Sequence, residues 1–255
     1  MIINKKILSK FVGWFQFKLI EKDLIKNNKS ISKYNFLNIN FVLNYFFEND
    51  RVNSILQIGA NDGQRFDFLN KFIKKKKIKS LLIEPIKENF LELERNYMNY
   101  QNVTLLNMAI SDKQDEKYEI FKVNKEFYNN YDEHIKGVNS FDINHLLKHG
   151  VKSKHIVKEK VDSITIKEIF TNYLENVDLI YIDVEGYDGN IVLDFFKNVN
   201  LRPYIIFEYI HIKNYIFENV LKILNENNYI FFSVEENLIC IPVEKKIIFQ
   251  SNPHI

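Results

Sequence analysis

Cysteine is almost missing from this chain of 255 residues: Cys240 stands alone. A single thiol excludes an internal disulfide and any cysteine-based zinc site. Its place in the apolar run from Leu238 to Val243 makes it a core residue rather than a nucleophile, and a reducing, cytoplasmic setting fits that usage. A charge imbalance is missing too. Lys and Arg number 35 against 33 Asp and Glu, a formal net of +2, so no global field recruits nucleic acid and no such partner is expected. No apolar run reaches the roughly 18 residues that a membrane-spanning helix needs. Two nucleotide-handling loops are absent as well. There is no G-x-G-x-x-G, which disfavours a nicotinamide-dependent oxidoreductase, and no Gly-Lys-Ser or Gly-Lys-Thr, which disfavours nucleoside triphosphate hydrolysis. Neither internal repeats nor low-complexity segments occur.

What is present is a foldable chain, 46% hydrophobic and 27% charged, long enough for one full α/β domain. Its first twenty residues set Lys5, Lys6, Lys10 and Lys18 among Ile7, Leu8, Phe11, Trp14, Phe15 and Phe17. Charges interrupt the apolar part and no small-residue cleavage site follows, so a signal peptide is not expected. Two readings stay open for residues 1–20: peripheral contact with a membrane surface, or a helix packed on the domain or on a second copy in an oligomer. Residues 1–50 are assigned as an N-terminal helical extension, ending in a helix from Ile39 to Glu48, and 51–255 as the main domain.

Two short aliphatic runs break abruptly into Gly, Asn and Asp: SILQIGANDG over Ser54–Gly63 and LIYIDVEGYDG over Leu179–Gly189. Buried parallel strands end this way, and ligands in open α/β sheets sit outside such carboxyl ends. Strands are expected at Ser54–Ile58, Ser80–Ile83, Val103–Leu106, Leu179–Asp183 and Pro203–Phe207. Helices are expected from Phe66 to the lysines 74–77, over Lys87–Tyr97 with Phe90, Leu91 and Leu93 facing in, and over Ser163–Leu174, Asn190–Phe196 and Ile212–Leu224. This alternation means a mostly parallel sheet with helices on both faces. Tyr229–Val234 and Leu238–Val243, with no helix between them, close it as an antiparallel hairpin. Residues 117–123 and 156–161 read as further strands. Between them, 124–150 is an irregular insert holding Tyr128, Tyr131, His134, His145 and His149, and it is assigned to substrate recognition.

Glycines at the first strand-to-helix turn let backbone approach a ligand closely. Glu84, closing the second strand about twenty-five residues after Gly59, stands where doubly wound folds place an acidic partner for ribose hydroxyls. Glycine loop and Glu84 together point to a nucleoside-containing ligand.

Six blocks in order then carry a resemblance: Gln57-Ile58-Gly59-Ala60-Asn61-Asp62-Gly63, Ile83-Glu84-Pro85, Asn107-Met108-Ala109-Ile110-Ser111-Asp112, Val161-Asp162-Ser163-Ile164, Tyr181 through Asp188, and Ile206-Phe207-Glu208. From Val52 to Tyr229 the chain resembles the FkbM family of S-adenosylmethionine-dependent methyltransferases. The resemblance implies a class I, Rossmann-like fold with a seven-stranded sheet. It places Gly59, Ala60, Asn61, Asp62 and Gly63 beside the methionine part of the cofactor, Glu84 and Pro85 at its ribose, Ala109 and Ile110 near its adenine, and Asp183 at the mouth of the site. It also implies O-methylation of a small-molecule, sugar or glycan hydroxyl. Two positions depart from the common family wording: Gln57, where an acid is usual, and Asp188, where Glu is frequent. With no acid at 57, Asp62 or Asp183 is left to meet the cofactor's amino group.

Methyl transfer to a hydroxyl needs the acceptor oxygen positioned and its proton removed. Asp183, Glu185, Glu208 and His211 are the candidate catalytic residues, with Asp188 either among them or a cap of the following helix. The acidic cluster admits a divalent cation. Without an H-x-x-E or histidine-rich constellation, however, zinc and iron are disfavoured and no metal ligand is assigned. A non-catalytic scaffold or glycan-binding module on the same fold is the alternative from a different class.

Overall fold

The structure, a computed structural model, describes residues 38–48, 51–65, 67–113 and 117–245. The expectations placed on residues 1–20 lie outside them. The described residues, which begin at Asn38, form one compact unit, and among them no helix is long and apolar enough to cross a membrane.

The strands are β1 (Ser54–Ile58), β2 (Lys79–Ile83), β3 (Val103–Leu106), β4 (Ala109–Ser111), β5 (Tyr118–Val123), β6 (Ile156–Val161), β7 (Ser163–Thr165), β8 (Leu179–Ile182), β9 (Tyr204–Glu208), β10 (Tyr229–Val234) and β11 (Asn237–Pro242). The helices are α1 (Ile39–Glu48), α2 (Asn70–Lys76), α3 (Lys87–Tyr97), α4 (Ile143–Lys148), α5 (Ile166–Asn172), α6 (Asp188–Asn198) and α7 (Asn214–Glu226), with short 3-10 turns between β5 and α4. Seven strands form one sheet in the order β10-β11-β9-β8-β1-β2-β3. Neighbours from β9 through β8, β1 and β2 to β3 are parallel; β11 lies antiparallel between β9 and β10. The expected hairpin on a parallel sheet is therefore present, its second strand wedged inward.

Strand periodicity divides the core in two, because successive side chains point to opposite faces. Ile55, Leu82, Leu179, Tyr181 and Ile206 pack with α1, α2 and α3; Leu56, Leu81, Ile180, Ile182 and Phe207 pack with α5, α6 and α7. Helix α1 buries Ile39, Val42, Leu43, Phe46 and Phe47, with Phe46 stacked on Tyr204 at 4.4 Å and Phe47 on Phe72 at 4.2 Å. Each such side chain contributes roughly 1.5–3 kcal/mol. Residues Ile39–Glu48, assigned from sequence to the extension, thus belong to the domain core.

Three local expectations are corrected. Helix α2 starts at Asn70 instead of Phe66, and Asp67 Oδ1 holds the turn before it by accepting the Leu69 and Asn70 amides at 2.7 and 3.3 Å. On α3, Leu91 is exposed at 42%, while Phe90, Leu93 and Tyr97 are the buried face. Residues Ser163–Thr165 are not helical. They pair with β4, and the helix begins at Ile166 behind a capping box formed by Thr165 and Glu168. The insert is not one loop. Val123, Ile135, Val138, Leu146 and Val151 make a small core of its own, and β5 and β6 pair antiparallel beneath it.

Candidate active site

Chain order reverses at β1, which lies between β2 and β8, and a crevice opens outside the carboxyl ends at such a switch point. A cavity of about 280 Å³ occupies it. Gly59 shapes its floor. With φ at +85°, its backbone runs so close to β8 that a Cβ would fall 1.9 Å from the Asp183 carbonyl oxygen. The Gly59 and Ala60 amides both donate to the Ile83 oxygen at 3.0 Å, drawing the loop across to β2.

Glu84 emerges where β2 ends, 4% exposed. Its Oε2 accepts the Asn61 amide and its Oε1 the Ile86 amide, each at 2.9 Å. Asn107 donates to the Glu84 and Pro85 carbonyls at 2.9 Å and props this corner. Burial pushes the Glu84 carboxyl up to about 7, against the pull of those amides. Apolar groups of Pro85, Met108, Ala109 and Ile110 continue the wall.

Two residues of the glycine loop do not line this cavity. Asp62 is spent on the loop itself, accepting the Gln64 and Arg65 amides at 2.9 and 2.8 Å and Arg65 Nε at 2.5 Å. Gly63 serves packing. Its φ is +67° and an added Cβ would meet Leu93 and Tyr97 within 2.6 Å. Sequence reading missed Asp67, whose carboxylate adjoins Gln57. Both side chains line the cavity, and Gln57 Oε1 and Asp67 Oδ2 are buried acceptors without a hydrogen-bond partner.

At the other end, Asp183, Glu185, Glu208 and His211 come together on the cavity wall as expected from sequence. Water reaches Asp183 through the open mouth, yet protein surrounds it on its remaining sides. Burial, then the charges of Asp188 and Glu185, push its carboxyl up to about 8. Burial, followed by Asp183 and Glu185, pushes Glu208 up to about 9, and Glu208 Oε2 is buried without a partner. Burial, then His145, lowers His211. Asp188 is fully buried and turns inward to accept the Val184 and Gly186 amides at 3.3 and 3.0 Å. It holds a loop in which Glu185 takes a left-handed φ of 56°, a conformation costing an L-residue roughly 1–2 kcal/mol.

The insert supplies the facing wall through residues 137–141 and His149. Ser140 Oγ donates to the Glu185 carbonyl at 3.1 Å, and His145 Nε2 lies 2.7 Å from Glu185 Oε2. Here the expected absence of a histidine-rich constellation is overturned: His145, His149, His211 and Glu185 bring their ligating atoms within 4.8 Å of one another. The i,i+4 spacing of His145 and His149 was the one signal in the sequence. It was obscured because a six-residue helix shows too little periodicity to be recognised.

A seven-stranded sheet of this order, with its crevice between a glycine turn and an acidic second-strand end, defines a class I, S-adenosylmethionine-type methyltransferase fold. Residues 57–231, well over half of the chain, match the methyltransferase FkbM domain. The chain belongs to that family. Among solved structures it is similar to a fibrillarin pre-rRNA processing protein of Methanococcus jannaschii, at 16% identity over 74% of this chain and 65% of that one, with a TM-score of 0.40. It is also similar to the methyltransferase FkbM from Methylobacillus flagellatus KT, at 13% identity over 74% of this chain and 44% of that one, TM-score 0.43. A third is an O-methyltransferase from Bacillus cereus in complex with SAH, at 9% identity over 92% and 97%, TM-score 0.43. The chain spans less than two thirds of the first two structures' lengths. No curated protein matches it.

Proposed function

We propose that this protein transfers a methyl group from S-adenosylmethionine to a hydroxyl of a sugar or glycan. The observation that carries the reading is the set of buried acceptor oxygens without partners around one cavity: Gln57 Oε1 and Asp67 Oδ2 at one end, Glu208 Oε2 at the other. Orphaned buried acceptors are costly, and a ligand bearing an ammonium and a sulfonium relieves them. The residues present therefore fit the cofactor. Gln57 and Asp67 would receive its amino group, Glu84 its ribose hydroxyls, and Met108, Ala109 and Ile110 its adenine. When bound, the cofactor supplies an electrophilic methyl group on a cationic sulfur.

The protein's own part is to hold the acceptor and take its proton. Asp183 and Glu208 stand on adjacent strand ends, so either side chain reaches the same region of the cavity, and each accepts a proton once ionised, which their raised values place above neutral pH. Glu185 is engaged with His145 and positions the insert. The aromatic rings of Phe141 and Tyr187, edge to face at 5.3 Å, line the acceptor side with Asn139 and Ser140, a mixture suited to a sugar's apolar face and its hydroxyls.

Calorimetric titration of S-adenosylhomocysteine, with NAD as the parallel control, tests the cofactor. Micromolar binding of the first alone is expected, and a mass increase of one methyl group on members of a sugar and glycan panel should follow. Failure to bind S-adenosylhomocysteine would refute the reading. Binding without turnover on any hydroxyl acceptor would favour the scaffold alternative.

A further inference from the structure

We propose that His145, His149, His211 and Glu185 bind a divalent first-row transition-metal cation of the zinc type at the acceptor end of the cavity. The inference rests on the methyl-transfer reading only for its role in catalysis; the site itself is argued from the four side chains.

They arrive from three places in the chain. Asp142 caps α4 by accepting the Asn144 amide at 2.9 Å. The helix then places His145 and His149 one turn apart on one side, their ring centroids 4.7 Å apart. His211, just beyond β9, brings its ring to 4.6 Å from His145 and 5.4 Å from His149. Glu185 comes from the loop after β8, with Oε2 at 2.7 Å from His145 Nε2. All four ligating atoms lie within 4.8 Å of one another. Around a tetrahedral cation with bonds of about 2.0–2.1 Å, ligand atoms stand about 3.3 Å apart. Small side-chain rotations close that gap.

The donor set selects the metal. Three imidazole nitrogens and one carboxylate oxygen suit zinc and its neighbours, whereas magnesium and calcium take oxygen cages. The surroundings fix these side chains as outer contacts fix metal ligands. Asp188 pins the amides on either side of Glu185, Ser140 holds the Glu185 carbonyl, and Glu208 Oε1 stands 3.8 Å from His211 Nε2. His149, Glu185 and His211 face the same cavity as Asp183 and Glu208, so a cation held there would accept a substrate oxygen as a further ligand. A bound hydroxyl would give its proton to Glu208 or Asp183 in its ionised form. Its oxygen would form the new bond to the methyl carbon as the carbon–sulfur bond breaks, leaving a neutral thioether.

Metal binding can be read without turnover. The full chain, stripped with a chelator, is titrated with Co2+ and followed by visible absorption, and with Zn2+ by calorimetry. One equivalent per chain is expected, with a cobalt spectrum more intense than that of the hydrated ion and no displacement by excess Mg2+. His149→Ala and His211→Ala should each weaken Zn2+ at least about tenfold while keeping the wild-type melting temperature. A hydrated-type cobalt spectrum in the wild type, or Zn2+ affinity unchanged in both variants, overturns the proposal. The wild-type spectrum decides even if a variant fails to fold. Titrating S-adenosylhomocysteine into the same metal-free sample reports on the cofactor separately, so either reading can fall while the other stands.

Discussion

Replacing Glu84 by glutamine separates the electrostatic cost of this residue from its role in binding. Glu84 is 4% exposed, and burial raises its carboxyl from the ordinary 4.5 to about 7. Between those values the folded protein holds a proton that the unfolded chain releases, so stability falls as pH rises through the window and levels off above it. At about 1.4 kcal/mol per pH unit, the loss from this one group is roughly 3 kcal/mol. A glutamine carries no charge at any pH and escapes it. Its NH2 must, however, face one of the donors Asn61 N or Ile86 N, which adds a pH-independent cost of about 1–3 kcal/mol. Glu84→Gln should therefore be the less stable protein near pH 4.5 and as stable as wild type, or more so, near pH 8. Urea unfolding of both proteins at the two pH values measures the change in their difference. Parallel behaviour, within about 1 kcal/mol, would refute the account of a buried, poorly solvated carboxylate. The same ionisation bears on the cofactor. Ribose hydroxyls donate more strongly to a carboxylate than to a carboxylic acid, so wild-type affinity for S-adenosylhomocysteine should tighten between pH 6 and 8 and that of Glu84→Gln should not.

Gly59→Ala places a methyl group on the Asp183 carbonyl at a positive φ and is expected to cost more than about 3 kcal/mol; a melting temperature within a few degrees of wild type would show that β1 and β8 can separate there. Asp62→Ala leaves the Gln64 and Arg65 amides without their acceptor and should destabilise by about 2–3 kcal/mol. Its affinity for S-adenosylhomocysteine, measured where the variant is fully folded, should fall less than that of Glu84→Ala; the reverse order would put Asp62 in contact with the cofactor.

How far the sequence could be read depended on how local each determinant was. The central strands were visible because SILQI, SLLI, LIYI and YIIF are buried on both faces and so carry continuous aliphatic runs. Glu84 was legible because it closes one of them. Boundaries failed where a side chain bonded to backbone amides outweighed the apolar spacing. Phe68 and Leu69 look helical beside Phe72, but Asp67 holds them in a turn before α2 begins. Thr165 and Glu168 likewise delay α5 and release Ser163–Thr165 to pair with β4. Asp67 is hidden as a site residue for the same reason, since it falls inside the span from Phe66 that is expected to be helical. The histidine cluster is a long-range product. His145 and His149 come from the insert, Glu185 and His211 from two strand ends, and nothing in their separate neighbourhoods announces that the sheet brings them together.

The small core inside the insert has a consequence for how this protein can change. Val123, Ile135, Val138, Leu146 and Val151 pack among themselves, apart from the two layers that hold the sheet together. The wall they support faces one half of the cavity, while Gly59, Glu84 and the apolar groups around Ala109 shape the opposite half from the main scaffold. Of the cavity-facing positions there, Asn139 belongs to none of the buried clusters, whereas Val138 sits in the insert's own core and Phe141 packs against Ile86 and Ala109 of the scaffold. On the proposed reading, substitution at Asn139 is the route by which the substrate half of the cavity can change while the residues around Gly59 and Glu84 stay as they are.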